Sequence, residues 1–492
     1  MAGSTGTGPE RQVDRDSAAT FEGEVPDLGG ESTAVFAASR VIPLTVGACF
    51  LMEGLDSTII ATSLPQIARA MGVTASEIGI ALTAYLVSVS MWMAASGWLA
   101  DRFEAKRIFI GAIVVFVLGS AVCGLSGSLA QLVIGRFLQG MGGALMTPVG
   151  RLILARSFPR DELVKAMSYM IIPGLLGPML GPVVGGWITT SLNWRWIFFI
   201  NLPLGVIGVG MALRLLRPVE AEGLTRFDFV GFVLVAVALV GIQAALEIVA
   251  ADSAVGPAAL LGLAIGFAAC AAYGWHARRG DPILDLRLFR YRAFAVAVIG
   301  GSFSRLVLGA TMFLFPLFFQ LGLGGSAIVA GYLMAVLAFG QIALRLGLDP
   351  LLKRLGIKSL LIVNSAVLGL LLVSLLAFHK GDSFWLLGGF MFVFGLIHSI
   401  QLSTLAGLNF SGLPKEALGN ATSVAAVVQR VSMALGISMT AILLGYASGG
   451  ASATRAAFNL PTLVLAGTMA LSLISFLALR PGDGDDLLKK AG

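Results

Sequence analysis

Two carboxylic acids lie three residues apart within an apolar stretch of this 492-residue chain. Glu53 and Asp56 interrupt a hydrophobic run that covers about residues 41 to 63. A spacing of three places both carboxyl groups on one face of a helix. Neighbouring carboxyl groups in a poorly hydrated site resist simultaneous ionisation, so such a pair can take up and release a proton. The pair therefore predicts a proton carrier, and the alternative of acids neutralised by an arginine for assembly alone stays open.

Arg136 is the obvious counter-charge for these acids, because it lies several residues inside a later apolar stretch. Charged residues inside membrane segments are costly and mark functional sites by default. A guanidinium beside Asp56 would change the proton affinity of that carboxyl, and a conformational change that separates the two groups would change it back. Proton coupling is thus predicted for Asp56, Glu53 and Arg136, with a purely structural ion pair as the alternative.

Six residues are candidates for a substrate cavity. Arg305 and Arg430 lie deep in apolar stretches of the second half, where bonding to backbone carbonyls is the alternative role. Gln429 precedes Arg430 and could contact substrate or bridge two helices. Aromatic side chains could line a greasy pocket, although most such residues face lipid or neighbouring helices. The predicted cavity residues are Gln139, Arg305, Gln429, Arg430, Tyr85 and Trp92.

No metal or cofactor chemistry is predicted. The three His and three Cys residues never approach metal-ligand spacing. The chain contains no Gly-Lys dipeptide and therefore no Walker A phosphate loop. Uphill transport would need a separate subunit or an ion gradient, and one charge crossing 100 mV supplies about 2.3 kcal/mol. An enzyme is not expected.

Side chains of this kind need membrane-crossing helices to position them. Hydrophobic residues make up 57% of the chain and charged residues 12%, against roughly 25% charged in soluble domains. About 20 apolar residues cross a bilayer, and fourteen stretches of the chain are long enough. Among 33 Lys and Arg, only Arg69, Arg195, Lys380 and Arg455 would lie in outer loops. Because basic loops stay on the cytoplasmic side, both termini are predicted to be cytoplasmic. The predicted location of the protein is the inner cell membrane. The net charge of +6 follows from this topology, and no nucleic-acid partner is expected.

The predicted fold class is an all-α integral membrane protein with fourteen transmembrane helices, in two six-helix bundles plus two accessory linker helices. The predicted segments are a disordered cytoplasmic tail (1–40), an N-terminal bundle (41–216), a linker with two accessory helices and a basic cytoplasmic loop (217–292), a C-terminal bundle (293–480) and a cytoplasmic tail (481–492). Similar short basic loops after the second span of each bundle indicate an internal repeat, which is typical of transporters. Apart from Glu247, the accessory stretches lack ionised residues and are predicted to face lipid.

The fifth span carries small residues and prolines at regular spacing. Glycine recurs every four residues on one stripe, and proline or glycine does so on the next. Such stripes let two helix backbones approach closely in lipid, and the prolines weaken the helix. We therefore expect a tightly packed seam between the two bundles, formed by Gly177, Pro178, Gly181, Pro182, Gly185 and Gly186.

Four motifs together resemble the major facilitator superfamily, specifically its 14-helix drug:proton antiporter branch. They are Gly97-x-Leu99-Ala100-Asp101-Arg102 with Lys106-Arg107, Leu55-Asp56-Ser57-Thr58 with Leu64-Pro65, Arg136-x-x-Gln139-Gly140, and Gly177-Pro178 through Gly185-Gly186. The resemblance implies a cytoplasmic gate at Gly97, Asp101, Arg102, Lys106 and Arg107, proton transfer on the fourth helix, and antiport from the fifth-helix motif. Glu104 departs from the family loop, which usually has glycine there, and could form a salt bridge with Lys106 or Arg107.

The function predicted from these features is proton-coupled export of amphipathic small molecules or drugs by alternating access, in other words multidrug efflux. Export of one physiological solute, such as an organic anion, a siderophore or a lipid-like metabolite, is the alternative within the same class. A membrane-embedded enzyme is the less favoured alternative from another class. The expected partners are the small-molecule substrate, protons and the lipid bilayer. A monomer is expected, and a periplasmic adaptor with an outer-membrane channel stays open.

Overall fold

The computed structural model describes residue 3, residues 29–74, 77–158, 160–216, 227–252, 254–279, 282–343, 355–409, 411–414, 417–449 and 453–480, and residue 483. Residues 1–39 form one contact unit and residues 40–492 form another. Most of the predicted tail 1–40 lies outside the described residues, as does nearly all of the tail 481–492. Residues 29–39 of the first unit are helical. The helix that contains them begins at Gly29, before the predicted start of the first span at residue 41.

The described part of the chain contains helices and no strands. The α-helices are α1 (Gly29–Ile59), α2 (Leu64–Met71), α3 (Ile80–Arg102), α4 (Ala105–Leu125), α5 (Leu129–Ser157), α6 (Arg160–Ser191), α7 (Trp196–Phe199), α8 (Asn201–Leu215), α9 (Phe229–Asp252), α10 (Pro257–His276), α11 (Arg292–Leu317), α12 (Ala327–Ala343), α13 (Ile357–Ser374), α14 (Phe384–Leu408), α15 (Leu418–Ser448) and α16 (Asn459–Leu477). We call residues 41–215 the first helix set and residues 292–477 the second helix set.

Eleven helical segments among the described residues are long and apolar enough to cross a membrane. The chain is therefore a multi-pass membrane protein, as its composition predicts. The other three predicted spans correspond to α5, α6 and α12. Helix α12 is apolar but has only 17 residues, whereas α5 carries buried polar residues and α6 contains three prolines, Pro173, Pro178 and Pro182. Eleven apolar spans are shown, and the full number of fourteen remains a proposal.

Glycines determine how closely the helices of the first set approach. A Cβ atom at Gly119 of α4 would lie 2.6 Å from the backbone nitrogen of Gln139, and one at Gly142 of α5 would lie 2.6 Å from that of Phe116. A Cβ at Gly140 would lie 2.6 Å from the carbonyl oxygen of Tyr85 on α3. Only glycine permits such contacts between backbones, so α5 packs tightly between α3 and α4.

The two helix sets repeat one contact at corresponding places. Lys106, in the first turn of α4, donates from Nζ to the carbonyl oxygen of Leu213 near the end of α8 at 3.0 Å. Lys358, in the first turn of α13, donates to the carbonyl oxygens of Leu477 and Leu479 at the end of α16 at 3.1 and 2.7 Å. In both sets a lysine therefore caps the last helix, which satisfies carbonyls that a helix end leaves free. This contact agrees with the internal repeat.

The accessory helices α9 and α10 pack on each other through glycines. Gly241 of α9 lies against Gly262 and Gly266 of α10, where added Cβ atoms would meet backbone atoms at 3.1 to 3.3 Å. The opposite side of α9 packs against α3 and α15, one helix from each set. The prediction of a lipid-facing pair holds for only part of α9: Val233 and Val240 are exposed, whereas Glu247 is buried.

Candidate functional site

Asp56 lies at the centre of a buried polar cluster in the first helix set. Its Oδ2 atom accepts a hydrogen bond from Arg136 Nη1 at 2.6 Å. Its Oδ1 atom accepts from Gln139 Nε2 at 2.9 Å and from Asn201 Nδ2 at 2.7 Å. Ser120 joins through its hydroxyl, which is 3.0 Å from Asn201 Nδ2. These five residues, which we call the Asp56 cluster, are fully buried and come from α1, α4, α5 and α8.

Arg136 makes further contacts that fix its guanidinium group. Its Nε atom donates to the carbonyl oxygen of Ala81 at 3.3 Å, and its Nη1 atom also contacts Gln139 Oε1 at 2.9 Å. The guanidinium carbon lies 4.4 Å from the ring centre of Tyr85. A buried ion pair is tolerated in a membrane only when its remaining hydrogen-bonding groups are satisfied in this way. Removing either partner would leave an uncompensated buried charge.

A proton added to Asp56 would weaken the bonds of this cluster. Both carboxylate oxygens accept hydrogen bonds from N–H groups, and these groups can only donate. A protonated carboxyl gains one O–H donor and keeps some acceptor capacity, but it loses its negative charge. Protonation would therefore weaken the hydrogen bonds that Asp56 accepts and would remove the charge that pairs with Arg136.

Glu53 occupies a different position from Asp56, although the two acids share one helix. Its Oε2 atom accepts from Thr147 Oγ1 of α5 at 2.8 Å. Its Oε1 atom lies 3.9 Å from Arg430 Nη2 of α15, at the limit of a salt bridge. Glu53 is thus paired across the two helix sets, whereas Asp56 is paired within the first.

A cavity of about 540 Å³ lies between the two helix sets. Its polar lining includes Glu53, Tyr85, Arg136, Thr147, Arg151, Gln341, His398 and Arg430. Its apolar lining includes Phe50, Leu82, Leu86, Leu308, Met312, Met334, Leu337, Met433 and Ile437. Apolar walls with a few convergent polar groups are typical of small-molecule sites. Two buried polar atoms of this lining, Tyr85 OH and His398 Nε2, have no hydrogen-bond partner among the described residues.

The predicted cavity residues divide into three groups. Tyr85 and Arg430 line the cavity, while Gln139 belongs to the Asp56 cluster. Arg305 is buried in the second set beside its own helix, 3.4 Å from the carbonyl oxygen of Ala297. Trp92 packs against Phe232 of α9, with ring centres 5.5 Å apart, and Gln429 is half-buried on α15. Arg305, Trp92 and Gln429 do not contribute to the described cavity lining.

The residues of the predicted gate lie at the end of α3 and at the start of α4. Lys106 is bonded to the end of α8, and Arg102 is exposed. Arg107 forms a salt bridge with Glu104 at 2.8 Å, so the acidic departure from the family loop does acquire a basic partner. The side chains of Gly97 and Asp101 lie outside the described residues.

The two stripes of α6 contact different partners. Cβ atoms at Gly177 and Gly181 would meet the backbone of α1, at 2.7 Å from Leu51 O and 2.9 Å from Leu55 O, and Gly185 also faces α1 at Ile59. The other stripe, which includes Pro182 and Gly186, reaches the second set. A Cβ atom at Gly186 would lie 2.6 Å from the carbonyl oxygen of Ala327 on α12.

Pro182 continues this second contact. A Cβ at Gly331 of α12 would overlap the carbonyl oxygen of Pro182, and both Pro178 and Pro182 line the cavity. The contact of Pro182 and Gly186 with Ala327 and Gly331 is called the α6–α12 seam below.

Sequence reasoning missed Asn201, Ser120 and Thr147. Asn201 donates to Asp56, Ser120 bonds to Asn201, and Thr147 donates to Glu53. The available signal was weak: an amide or hydroxyl inside an apolar stretch, with no spacing that relates it to a partner on another helix. Among the described residues, no group of three His, Cys, Asp or Glu could hold a metal ion.

Two helix sets around a cavity, with ion pairs inside the membrane, define a polytopic transporter. The sequence pattern of the Major Facilitator Superfamily matches residues 46–437, and the chain belongs to this family. The family and the relatives below are transporters, so the chain is a transporter and not an enzyme.

Curated relatives match most of the chain. The putative multidrug resistance protein MdtD of Cronobacter sakazakii is 37% identical over 398 residues, covering 80% of this chain and 84% of the relative. The protein of the same name from Pectobacterium atrosepticum is 35% identical over 451 residues, covering 90% of this chain and 95% of the relative.

Solved structures agree in fold at low sequence identity. A POT family transporter in complex with a thioalcohol-conjugated peptide has a TM-score of 0.67 at 14% identity, covering 89% of this chain and 95% of that chain. A D-xylose–proton symporter has a TM-score of 0.62 at 15% identity, covering 88% of this chain and 96% of that chain. At these identities, the likeness supports the fold alone.

Proposed function

We propose that this transporter exports amphipathic small molecules in exchange for protons. Fourteen spans, with both termini in the cytoplasm, form two accessory helices and two six-helix bundles that rock about the central cavity. The names of the relatives support drug-like substrates, and the scarcity of basic residues in the outer loops supports the topology.

The Asp56 cluster is the observation that carries this proposal. Arg136 is bonded to Asp56 and also lines the cavity. Protonation of Asp56 frees the guanidinium group, because a neutral carboxyl no longer holds it by charge. The freed charge changes the cavity in which the substrate binds. Proton binding and substrate binding are thereby linked through one side chain.

Glu53 supplies a second link between proton and substrate. In the described state its carboxylate faces Arg430 across the two helix sets. A proton on Glu53 removes this attraction, and a cationic substrate would compete with the proton for the same carboxylate. Competition of this kind is what exchange in opposite directions requires.

The test uses everted membrane vesicles, ethidium as the substrate, and an imposed pH gradient. Wild-type protein should accumulate ethidium, and a protonophore should abolish the accumulation. Asp56→Asn should lose gradient-driven accumulation yet keep ethidium exchange in the absence of a gradient, because Glu53 and the apolar lining of the cavity are unchanged. The matched control is Asn364→Asp, which places a carboxyl in the buried cluster of the second set, where Asn364 bonds to Gln401 at 2.9 Å. Unchanged gradient-driven accumulation in Asp56→Asn would show that Asp56 is not a site of proton exchange.

Export of an organic anion is the second candidate, and it rests on the cations of the cavity. Arg430 and Arg151 both line it, while Arg136 is neutralised by Asp56. An acidic substrate could pair with Arg430 when Glu53 is protonated. Competition of ethidium export by amphipathic organic acids and by organic cations separates the two candidates, because only the better-bound class should compete at low concentration.

A further inference from the structure

Glu247 forms a second buried polar cluster outside the cavity. It lies on the accessory helix α9, and its side chain is only 7% exposed. The Oε1 atom accepts hydrogen bonds from Thr83 Oγ1 of α3 at 2.9 Å, Ser438 Oγ of α15 at 2.9 Å and Gln243 Nε2 of α9 at 2.8 Å. Gln243 Nε2 also contacts Ser438 Oγ. One carboxyl oxygen therefore joins the accessory helix to both helix sets.

The second oxygen of this carboxyl is in a different situation. Glu247 Oε2 is buried and has no hydrogen-bond partner among the described residues. Because Oε1 already accepts three bonds, Oε2 is the oxygen that can carry a proton without displacing a donor. A proton there leaves Oε1 as a carbonyl oxygen that still accepts bonds from Thr83, Ser438 and Gln243.

No cation faces Glu247 from the described residues packed around α9. On α15, Arg430 pairs with Glu53, and on α10, His276 pairs with Asp228 at 2.7 Å. Tyr273 of α10 bonds to the loop at Leu284, and Tyr446 of α15 is exposed.

The other titratable groups on the neighbouring helices and turns either have partners of their own or lie away from the Glu247 carboxyl. Glu77, in the turn before α3, accepts from the backbone of Thr74 at 2.6 Å. On α3, Tyr85 lines the cavity, and Arg102 is exposed at the far end of the helix. Cys270 of α10 is exposed. The hydrogen-bond donors of Glu247 are therefore neutral groups, unlike the guanidinium beside Asp56.

We propose that Glu247 is a further proton-binding site outside the cavity, at which Oε2 takes up and releases a proton as α3 and α15 move. The balance is simple: the carboxylate gains one proton to become a carboxylic acid when the donors separate, and the same proton leaves when the donors return, because hydrogen bonds to a carboxylate favour its charged form. The bonds to Thr83 and Ser438 join one helix of each set, so rocking of the sets must change them. Thr83 is two residues from Ala81, whose carbonyl oxygen accepts from Arg136. Helix α3 therefore contacts both the Asp56 cluster and Glu247.

Infrared titration of the purified protein tests this proposal without a substrate, so its failure is distinguishable from failure of the proposed export. A neutral carboxyl has a C=O stretching band, and the band disappears when the carboxyl ionises. The difference between wild type and Glu247→Gln should contain one such band that titrates with pH. Thr83→Val and Ser438→Ala should each shift this band to higher frequency, because a carbonyl that accepts fewer hydrogen bonds has a stiffer C=O bond.

Glu77→Gln is the matched control, since Glu77 lies in the turn just before α3 and accepts from the backbone of Thr74, and it should leave the band unchanged. A thermal melt confirms that each variant is folded. The proposal is overturned if the difference spectrum between wild type and Glu247→Gln contains no carboxyl band that titrates with pH. It is also overturned if the frequency of the band is unchanged in both Thr83→Val and Ser438→Ala.

Discussion

Adding a single methyl group at Gly186 should open the α6–α12 seam. A Cβ atom there would lie 2.6 Å from the carbonyl oxygen of Ala327 and 3.0 Å from the Cα atom of Ile328. Both are backbone atoms, so no flexible side chain can move aside. Overpacking of this kind costs about 1–3 kcal/mol. The penalty applies only to states in which the seam is closed, so Gly186→Ala should shift the population about 5- to 150-fold towards states with the two helices apart.

Spin-label distance measurements detect that shift directly. Labels at Ser191, at the end of α6, and at Tyr332 of α12 are both exposed. The exposed native thiol of Cys270 is replaced by serine to prevent background labelling. The wild-type protein should show a short distance, and Gly186→Ala should show a longer, broader distribution.

Gly210→Ala is the matched control for the seam, because a Cβ atom at Gly210 of α8 meets nothing within 4 Å. It should reproduce the wild-type distances. Identical distance distributions for wild type, Gly186→Ala and Gly210→Ala would refute the reasoning that small residues at the seam hold the two helix sets together.

Three further substitutions probe other parts of the structure. Asn201→Leu removes a donor from Asp56 and should lower the free energy of unfolding by about 1–3 kcal/mol, measured by thermal or denaturant unfolding. Gly181→Leu should block ethidium export while the protein still inserts, because its side chain would separate α6 from α1; transport and membrane content are measured together. Asp228 is partly buried, which raises its pKa, but hydrogen bonds from a backbone N–H, from His276 and from another backbone N–H lower the pKa by more, and the net direction is downward. The stability that this carboxylate supplies is therefore present above the pKa of an unfolded aspartate, about 4, and is lost as pH falls through the lower folded value. Asp228→Asn should melt earlier at neutral pH and lose less stability on acidification.

These substitutions have separate controls and failures. Asn364→Leu removes a buried amide from the second set and should lower stability without changing the pH dependence of transport, whereas Asn201→Leu should change both. Normal coupled export by Gly181→Leu would show that the α1–α6 contact is not required. An acid-dependent loss of stability that is equal in wild type and Asp228→Asn would exclude Asp228 as its source.

The sequence predicted the helical membrane fold and the residues of the Asp56 cluster that are charged. Charges inside apolar stretches are costly, so Glu53, Asp56 and Arg136 stand out without a structure. Spacing alone could not show that the two acids have separate partners. A spacing of three residues puts both on one side of α1, but the packing of α5 and α15 decides that Asp56 bonds to Arg136 and that Glu53 faces Arg430.

Two other features depend on contacts that no local pattern encodes. The glycine stripes of α6 indicated close packing, but only the structure assigns Gly181 to α1 and Gly186 to α12. Glu247 interrupted a helix predicted to face lipid, and its burial depends on Thr83 and Ser438, which lie on distant parts of the chain. Hydroxyl groups are common in membrane helices, so they give no signal before their partners are known.

Substrate-induced proton release is the measurement that tests the central claim most directly. Purified protein in weakly buffered solution is mixed with ethidium, and a pH indicator reports the protons released as the substrate binds. Wild type should release protons, Asp56→Asn should release fewer or none while still binding ethidium, and Glu53→Gln should show whether the second acid contributes. Proton release by Asp56→Asn equal to that of wild type would contradict a coupling mechanism centred on the Asp56–Arg136 pair.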